Sequence, residues 1–153
     1  MCVWITHGEA ETRQLGRQIG ATLEPGARCL LVGAMGCGKT VFAQGIGEGL
    51  GFDARQIQSP TFTLIHQHDR DGVCLMHLDL YRLDAEDLDG LGLAEIMESP
   101  AVKVVEWAER LPSWCQEGRC FVFERVSTGS DSERRIREQS RVVMAPERGS
   151  KPS

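Results

Sequence analysis

The chain has 153 residues, of which 41% are hydrophobic and 25% are charged, a balance typical of one soluble globular domain. Its formal net charge of −5 argues against a protein that holds nucleic acid tightly through charge. Because no apolar run is long enough to span a membrane and no secretory signal pattern opens the chain, we expect a cytoplasmic protein without a membrane segment.

The first elements predicted are an edge strand over residues 3–5, a helix that ends at residues 25–26, and a buried strand over residues 29–32. Thr6 and Glu9 have the S/T-x-x-E spacing of a capping box, which predicts that the helix begins there. Leu15, Ile19 and Leu23 follow at four-residue spacing and form its apolar face.

Residues 33–40, GAMGCGKT, match the G-x-x-x-x-G-K-[ST] pattern of a phosphate-binding loop. Glycines in such a loop let backbone N–H groups surround phosphate oxygens, while Lys39 reaches the terminal phosphates and Thr40 binds Mg²⁺. A strand precedes the motif and a helical apolar pattern over residues 41–50 follows it, which is the context the chemistry requires. The residues predicted to bind nucleotide here are Gly33, Met35, Gly36, Cys37, Gly38, Lys39, Thr40 and Val41.

Strands dominate the rest of the chain. We predict strands over residues 62–68 and 73–80 joined by a turn at 69–72, short helices over 84–98, strands over 102–105, 120–126 and 134–144 around a loop at 128–133, and a disordered tail over 146–153. Together these elements predict an α/β fold: a single P-loop NTPase-like domain, residues 1–145, with a mixed β-sheet flanked by helices.

The residue composition argues against one class of P-loop protein, the usual GTPases. The chain contains no asparagine, so the guanine-reading N-K-x-D motif of a usual GTPase cannot form. Asp79 and Glu106 each end an apolar strand, where a P-loop protein places the acid that holds Mg²⁺ or its water. A small-molecule P-loop kinase stays open at this point, because the region after Arg82 could form a lid.

Four motifs in order resemble the TsaE (YjeE) family, the small bacterial ATPases needed for the threonylcarbamoyl modification of adenosine in tRNA. They are the GxxGxGKT loop, SPTFTL at residues 59–64, H-x-D-x-Y-R at 77–82 and V-E-W at 105–107. The resemblance spans about residues 5–145, which is nearly the whole chain.

The resemblance implies an ATP-hydrolysing, Mg²⁺-dependent switch. Asp79 and Glu106 would act with Thr40 on the metal and in hydrolysis, and Thr61 in the switch-like segment would sense the γ-phosphate or the attacking water. Trp107 and Arg134 would contact the nucleotide. The implied partners are a tRNA threonylcarbamoyltransferase subunit and its paralogous companion. The alternatives are a nucleotide-dependent binding module with little turnover and a small-molecule kinase.

Several positions leave alternatives open. Ala34 stands where the family usually has aspartate, and the effect of this change on turnover is open. Cys37 lies beside Lys39 at a helix N-terminus, a setting that can make a thiol reactive. His66 and His68 share one strand face and are either a metal pair or a solvated surface. The acidic residues 84–98 are either a solvated face or a dock for a basic partner.

Overall fold

A computed structural model describes residues 2–57, 65–126 and 132–142 of the chain. The strands are β1 (Val3–Thr6), β2 (Arg28–Val32), β3 (Ile65–Arg70), β4 (Val73–Asp79), β5 (Val102–Glu106), β6 (Glu117–Arg125) and β7 (Arg134–Arg141). The α-helices are α1 (Glu9–Gly20), α2 (Lys39–Gly49), α3 (Ala85–Asp89) and α4 (Leu93–Glu98), and short 3₁₀ turns lie at Ala54–Gln56, Ala108–Arg110 and Ser113–Cys115.

The seven strands form one mixed sheet in the order β1-β7-β6-β2-β5-β4-β3. The four central strands, β6, β2, β5 and β4, run parallel, and they are flanked by β7 on one side and β3 on the other, which run in the opposite direction. The edge strand β1 pairs antiparallel with β7 and so runs in the direction of the central strands. This arrangement confirms the predicted α/β fold with a mixed sheet. Because parallel strands end at one edge, the residues that follow β2, β4 and β5 meet there, as ligand-binding residues do in such sheets.

Helices α1 and α2 pack on one face of the sheet with their backbones in contact. A Cβ atom added to Gly45 of α2 would lie 2.2 Å from the carbonyl oxygen of Arg13, and one added to Gly20 of α1 would lie 2.3 Å from that of Ile46. Glycine therefore allows an approach that no other residue permits. Since α2 begins directly after the phosphate-binding loop, this contact fixes the position of the loop against α1.

Two apolar clusters fill the space on either side of the sheet. The cluster on the α1 and α2 side includes Leu31, Phe42 and Phe121. The opposite cluster includes Leu78 and Val105, together with residues of α4 and of the turns that follow β5. Asp79 and Glu106, the last residues of β4 and β5, therefore end strands that are packed between two apolar layers.

The predicted capping box is wrong. The N-cap of α1 is Gly8, and no side chain of the described residues caps it. Thr6 instead remains in strand β1, and its hydroxyl lies 2.8 Å from that of Thr12 in a buried hydrogen bond. The helix also ends at Gly20, earlier than the predicted stop at residues 25–26, and Leu23 packs against the core from the turn beyond it. A tertiary contact has outweighed the local capping pattern.

The predicted hairpin and short helices agree with the structure. Strands β3 and β4 pair through a tight turn at Asp71 and Gly72, and the acidic segment forms α3 and α4. The switch-like segment 59–64 with Thr61, most of the loop 128–133 and the tail 146–153 lie outside the described residues. Over the part of the chain that the structure describes, no helix has both the length and the apolar character needed to cross a bilayer.

Candidate nucleotide site

The phosphate-binding loop connects β2 to α2 and depends on two glycines in the left-handed region. Gly36 has φ of 77° and Gly38, the N-cap of α2, has φ of 97°. Among the described residues no side chain caps this helix, so its first backbone N–H groups point toward the loop without such a partner. A helix N-terminus of this kind carries partial positive charge and suits a phosphate group.

Lys39 is buried at the start of α2 and folds back over the loop. Its Nζ donates to the carbonyl oxygen of Gly33 at 2.5 Å and lies 3.6 Å from the centroid of the Trp107 ring. Burial lowers the pKa of Lys39, while the nearby carboxylates of Glu109 and Glu106 act in the opposite direction. The ammonium is thus held by uncharged partners that an anionic phosphate oxygen could replace.

Glu106 ends β5 and is buried, with both carboxylate oxygens in hydrogen bonds. One oxygen accepts from the Thr40 hydroxyl at 2.9 Å, and the other lies 2.6 Å from Nε2 of His77. Asp79, the last residue of β4, pairs with Glu106 in the register of the two strands. One oxygen of Asp79 accepts from the backbone N–H of Tyr81 at 2.9 Å. The loop threonine and two strand-end acids therefore meet at one side of the loop.

This set of oxygen donors fits Mg²⁺, which prefers hard oxygen ligands. Among the residues in the three described ranges, no group of three or more His, Cys, Asp or Glu side chains could hold a metal ion. Thr40, Asp79 and Glu106 could supply part of a ligand set that phosphate oxygens and water complete, the usual arrangement for Mg²⁺. His66 and His68, whose ring centroids lie 6.3 Å apart, belong to no such group either.

A cleft of about 640 Å³ opens beside the loop, the strand ends and the start of α1. The sequence-predicted residues that line it are Met35, Gly36, Gly38, Lys39, Thr40, Val41, Asp79, Glu106, Trp107 and Arg134. Gly33 and Cys37 do not line it. Cys37 packs in the core with 2% of its surface exposed, which denies its thiol the access that a reactive cysteine needs.

Trp107 and Arg134, which are far apart in the sequence, lie at the rim of the cleft and contact the start of α2 and the loop. Trp107 follows β5 with φ of 58°, an uncommon conformation for a bulky residue that turns its ring over Lys39. Tyr81 stacks beside Trp107, with ring centroids 4.8 Å apart. Arg134, at the start of β7, donates to the carbonyl oxygen of Gly36 at 3.3 Å. These contacts join three strand ends to the phosphate-binding loop.

Six residues that line the cleft are not among those predicted from the sequence. The additional residues are Gly8, Glu9, Thr12, Tyr81, Arg82 and Ser132. Tyr81 and Arg82 belong to the H-x-D-x-Y-R motif, so the sequence does mark them as candidate site residues. Thr12 reaches the cleft only because α1 packs against α2, and no local pattern around it marks a binding residue.

Comparisons with known proteins identify relatives over most of the chain. Residues 6–136 match the sequence profile of the family described as threonylcarbamoyl adenosine biosynthesis protein TsaE. A tRNA threonylcarbamoyladenosine biosynthesis protein TsaE from Bacillus subtilis is 39% identical over 137 residues, covering 87% of this chain and 82% of the relative. The protein of the same name from Nostoc sp. is 42% identical over 105 residues, covering 66% of this chain and 64% of that relative's length.

The fold has a close match among solved structures. The crystal structure of Bacillus subtilis YdiB superposes with a TM-score of 0.70 at 34% sequence identity. The match covers 92% of this chain and 86% of that one. The phosphate-binding loop, the mixed sheet and the strand-end acids thus belong to a P-loop NTPase-like fold.

Proposed function

The chain belongs to the TsaE family, whose members take part in tRNA threonylcarbamoyladenosine biosynthesis, and we propose that it is an ATP-hydrolysing switch in that modification. Its P-loop NTPase-like fold is consistent with nucleotide binding. ATP is the proposed substrate, and Mg²⁺ is the proposed metal. The proposed role is to couple the state of a bound nucleotide to partner proteins.

One observation carries this proposal: Thr40 and Glu106 are hydrogen-bonded at 2.9 Å beside Asp79, at the mouth of a phosphate-binding loop. In P-loop proteins the loop threonine and a strand-end acid hold the metal that bridges the β- and γ-phosphates. When bound, Mg²⁺ would neutralise charge on those phosphates. The residues that we propose as its ligands are Thr40, Asp79 and Glu106.

The positions of these residues around the cleft support the binding and catalytic roles that we propose for them. Lys39 and the backbone of Gly36 and Gly38 hold the phosphates, and Trp107 with Arg134 encloses the nucleotide from the rim of the cleft. Asp79 and Glu106 orient the attacking water or accept its proton, which is the task of a carboxylate beside the γ-phosphate. Thr61 is proposed as a further catalytic residue that senses the γ-phosphate, although it lies outside the described residues.

The proposed partners are a tRNA threonylcarbamoyltransferase subunit and its paralogous companion. The chain's net charge of −5 supports action through proteins and not through tight contact with tRNA. The acidic segment that contains α3 and α4 is a candidate dock for a basic surface. A switch works only if the partners bind the ATP and ADP states with different affinity, because a ligand without such a difference shifts no equilibrium.

Calorimetric titration of the partner pair tests this proposal. With a non-hydrolysable ATP analogue and Mg²⁺, we expect affinity for the pair to be about tenfold or more above that with ADP, a coupling common in allosteric proteins. Lys39→Ala, which removes the phosphate ligand, should bind the pair equally with either nucleotide.

Three experimental results would argue for a function other than an ATP-hydrolysing switch. Equal affinities in the two nucleotide states would overturn the switch. Nucleotide-dependent binding without any phosphate release would support a binding module with little turnover. Transfer of the γ-phosphate of labelled ATP to a metabolite would support a small-molecule kinase.

A further inference from the structure

A buried histidine lies directly behind the proposed catalytic acid. We propose that His77 is a positioning residue that holds Glu106 in the orientation in which its other oxygen receives the Thr40 hydroxyl. This inference rests on the proposed ATPase function, and it assigns a role within that site to a buried residue that does not line the cleft.

The fold places the two side chains as diagonal neighbours. Asp79 is paired with Glu106 across β4 and β5, and His77 lies two residues before Asp79 on the same face of the sheet. The Glu106 side chain reaches back along this diagonal, so that one carboxylate oxygen lies 2.6 Å from Nε2 of His77. The two side chains are 1% and 3% exposed, which keeps water from competing for the contact.

The chemistry of the pair fixes which atom donates. An ionised carboxylate only accepts hydrogen bonds, so Nε2 of His77 donates to Glu106. The other ring nitrogen, Nδ1, is buried without a hydrogen-bond partner among the described residues. A leucine would fill a similar volume without leaving a polar atom unpaired. The contact with Glu106 therefore gives a reason for a histidine at this position that core packing does not.

Two hydrogen bonds connect His77 to the proposed metal ligands: one joins His77 to Glu106, and the other joins Glu106 to Thr40. A glutamate side chain has three rotatable bonds, and a donor on one oxygen restricts which way the other oxygen points. His77 thereby fixes Oε1 of Glu106 at 2.9 Å from Oγ1 of Thr40, at the start of α2. Such outer partners of metal-binding groups typically contribute about 10- to 100-fold to metal affinity or activity.

The structure offers matched variants. His77→Leu removes the donor and keeps an apolar volume, whereas His77→Gln retains an N–H donor at similar reach. His66 is opposite His77 in the β3–β4 register but lies on the edge strand and does not line the cleft, so His66→Gln is the control. Glu106→Gln alone and combined with His77→Leu shows whether His77 acts only through Glu106.

Three measurements decide the inference: MgATP turnover, ADP affinity as a function of Mg²⁺ concentration, and the imidazole N–H signals of ¹⁵N-histidine-labelled protein. For His77→Leu we expect turnover to fall about 10- to 100-fold and the Mg²⁺ requirement for ADP binding to rise, with the fold intact. His77→Gln should recover most of the loss, and His66→Gln should match the wild type. The double variant should be no slower than Glu106→Gln.

Separate results would overturn the inference and the proposed function. Wild-type turnover and Mg²⁺ requirement in a folded His77→Leu variant would overturn the positioning role, as would a loss that multiplies with that of Glu106→Gln. A wild type that releases no phosphate would overturn the proposed ATPase. In that case the NMR signal decides the positioning role: a slowly exchanging His77 Nε2–H that shifts in Thr40→Val supports it, and an unshifted one contradicts it.

Discussion

Lys39 and Trp107 are in direct contact, with Nζ of Lys39 3.6 Å from the centroid of the indole ring. The same Nζ donates to the carbonyl oxygen of Gly33, so the cation that should bind phosphate is held by a ring and by its own loop. A cation over an aromatic face is attracted by the ring's quadrupole, but only by about 0.5–2 kcal/mol. A phosphate carries full negative charge and would compete successfully for the ammonium.

This contact predicts that the fluorescence of Trp107 reports nucleotide binding. The chain has three tryptophans, and replacing Trp4 and Trp114 by phenylalanine would leave Trp107 alone. Titration of that variant with MgADP should change the emission and saturate, because Lys39 leaves the ring for the phosphates. Saturable heat of binding in a calorimeter without any change in emission would contradict the displacement of Lys39.

Arg134 should contribute to nucleotide affinity through its contact with the loop. Its guanidinium donates to Gly36 at 3.3 Å, and the side chain lines the cleft. We expect Arg134→Ala to weaken ADP binding about tenfold, the equivalent of about 1.4 kcal/mol. Arg135→Ala is the matched control, because Arg135 is the next residue of the same strand and does not line the cleft. Equal affinities of the two variants would remove Arg134 from the site.

The contact between α1 and α2 predicts a stability effect with its own control. Gly45→Ala would place a Cβ 2.2 Å from the carbonyl oxygen of Arg13, which neither backbone can relieve without moving. We expect the free energy of unfolding to fall by about 3 kcal/mol. Gly90→Ala meets nothing closer than 3.6 Å and should change stability by less than about 1 kcal/mol. Urea denaturation of both variants makes the comparison, and similar midpoints would show that the helices can separate at little cost.

The buried thiols of Cys29 and Cys120 should lower the free energy of unfolding at alkaline pH. Burial raises the pKa of Cys29 to about 12 and that of Cys120 to about 11, from an ordinary value of 9.0. Above pH 9 the unfolded chain releases thiol protons that the folded chain keeps, so stability that is fully present below pH 9 declines as pH rises toward those values. Each thiol contributes a limiting slope of about 1.4 kcal/mol per pH unit.

The Cys29→Ala variant isolates one of these slopes. Between about pH 9.5 and 11, its free energy of unfolding should decline less steeply than that of the wild type, by up to about 1.4 kcal/mol per pH unit. Cys2→Ala removes an exposed thiol and is the control. Parallel curves for the wild type and Cys29→Ala would show that the Cys29 thiol ionises in the folded protein as easily as in the unfolded one.

Local patterns predicted the centre of the site because each part is contiguous in the sequence. The loop at residues 33–40 carries its own glycines, and Asp79 and Glu106 each end an apolar run of the kind that predicts a strand. Their meeting at one edge follows from parallel pairing, which the alternation of strands and helices indicates. For these residues the sequence was sufficient to predict their place in the fold, and their roles stay predictions.

The remainder depends on tertiary contacts that no local pattern records. Thr6 looked like a helix cap, yet its hydroxyl bonds to Thr12 inside the fold. The role of His77 emerges only once β4 and β5 are aligned in register, because Glu106 is 29 residues away in the chain. Arg134 reaches the loop from β7, which β6 separates from β2 in the sheet, and it is 98 residues from Gly36 in the chain.

The most direct test of the account is phosphate release from MgATP by the purified chain, compared between the wild type and Glu106→Gln. Glutamine keeps an acceptor oxygen for Thr40 but cannot take a proton, so we expect turnover to fall by about 10²- to 10³-fold even at Mg²⁺ concentrations high enough for the variant to bind ADP. Adding the transferase pair should raise the wild-type rate and leave the variant slow. A wild type that releases no phosphate even with the pair, or a Glu106→Gln variant that matches its rate, would contradict the assignment of Glu106 as the acid of an ATPase.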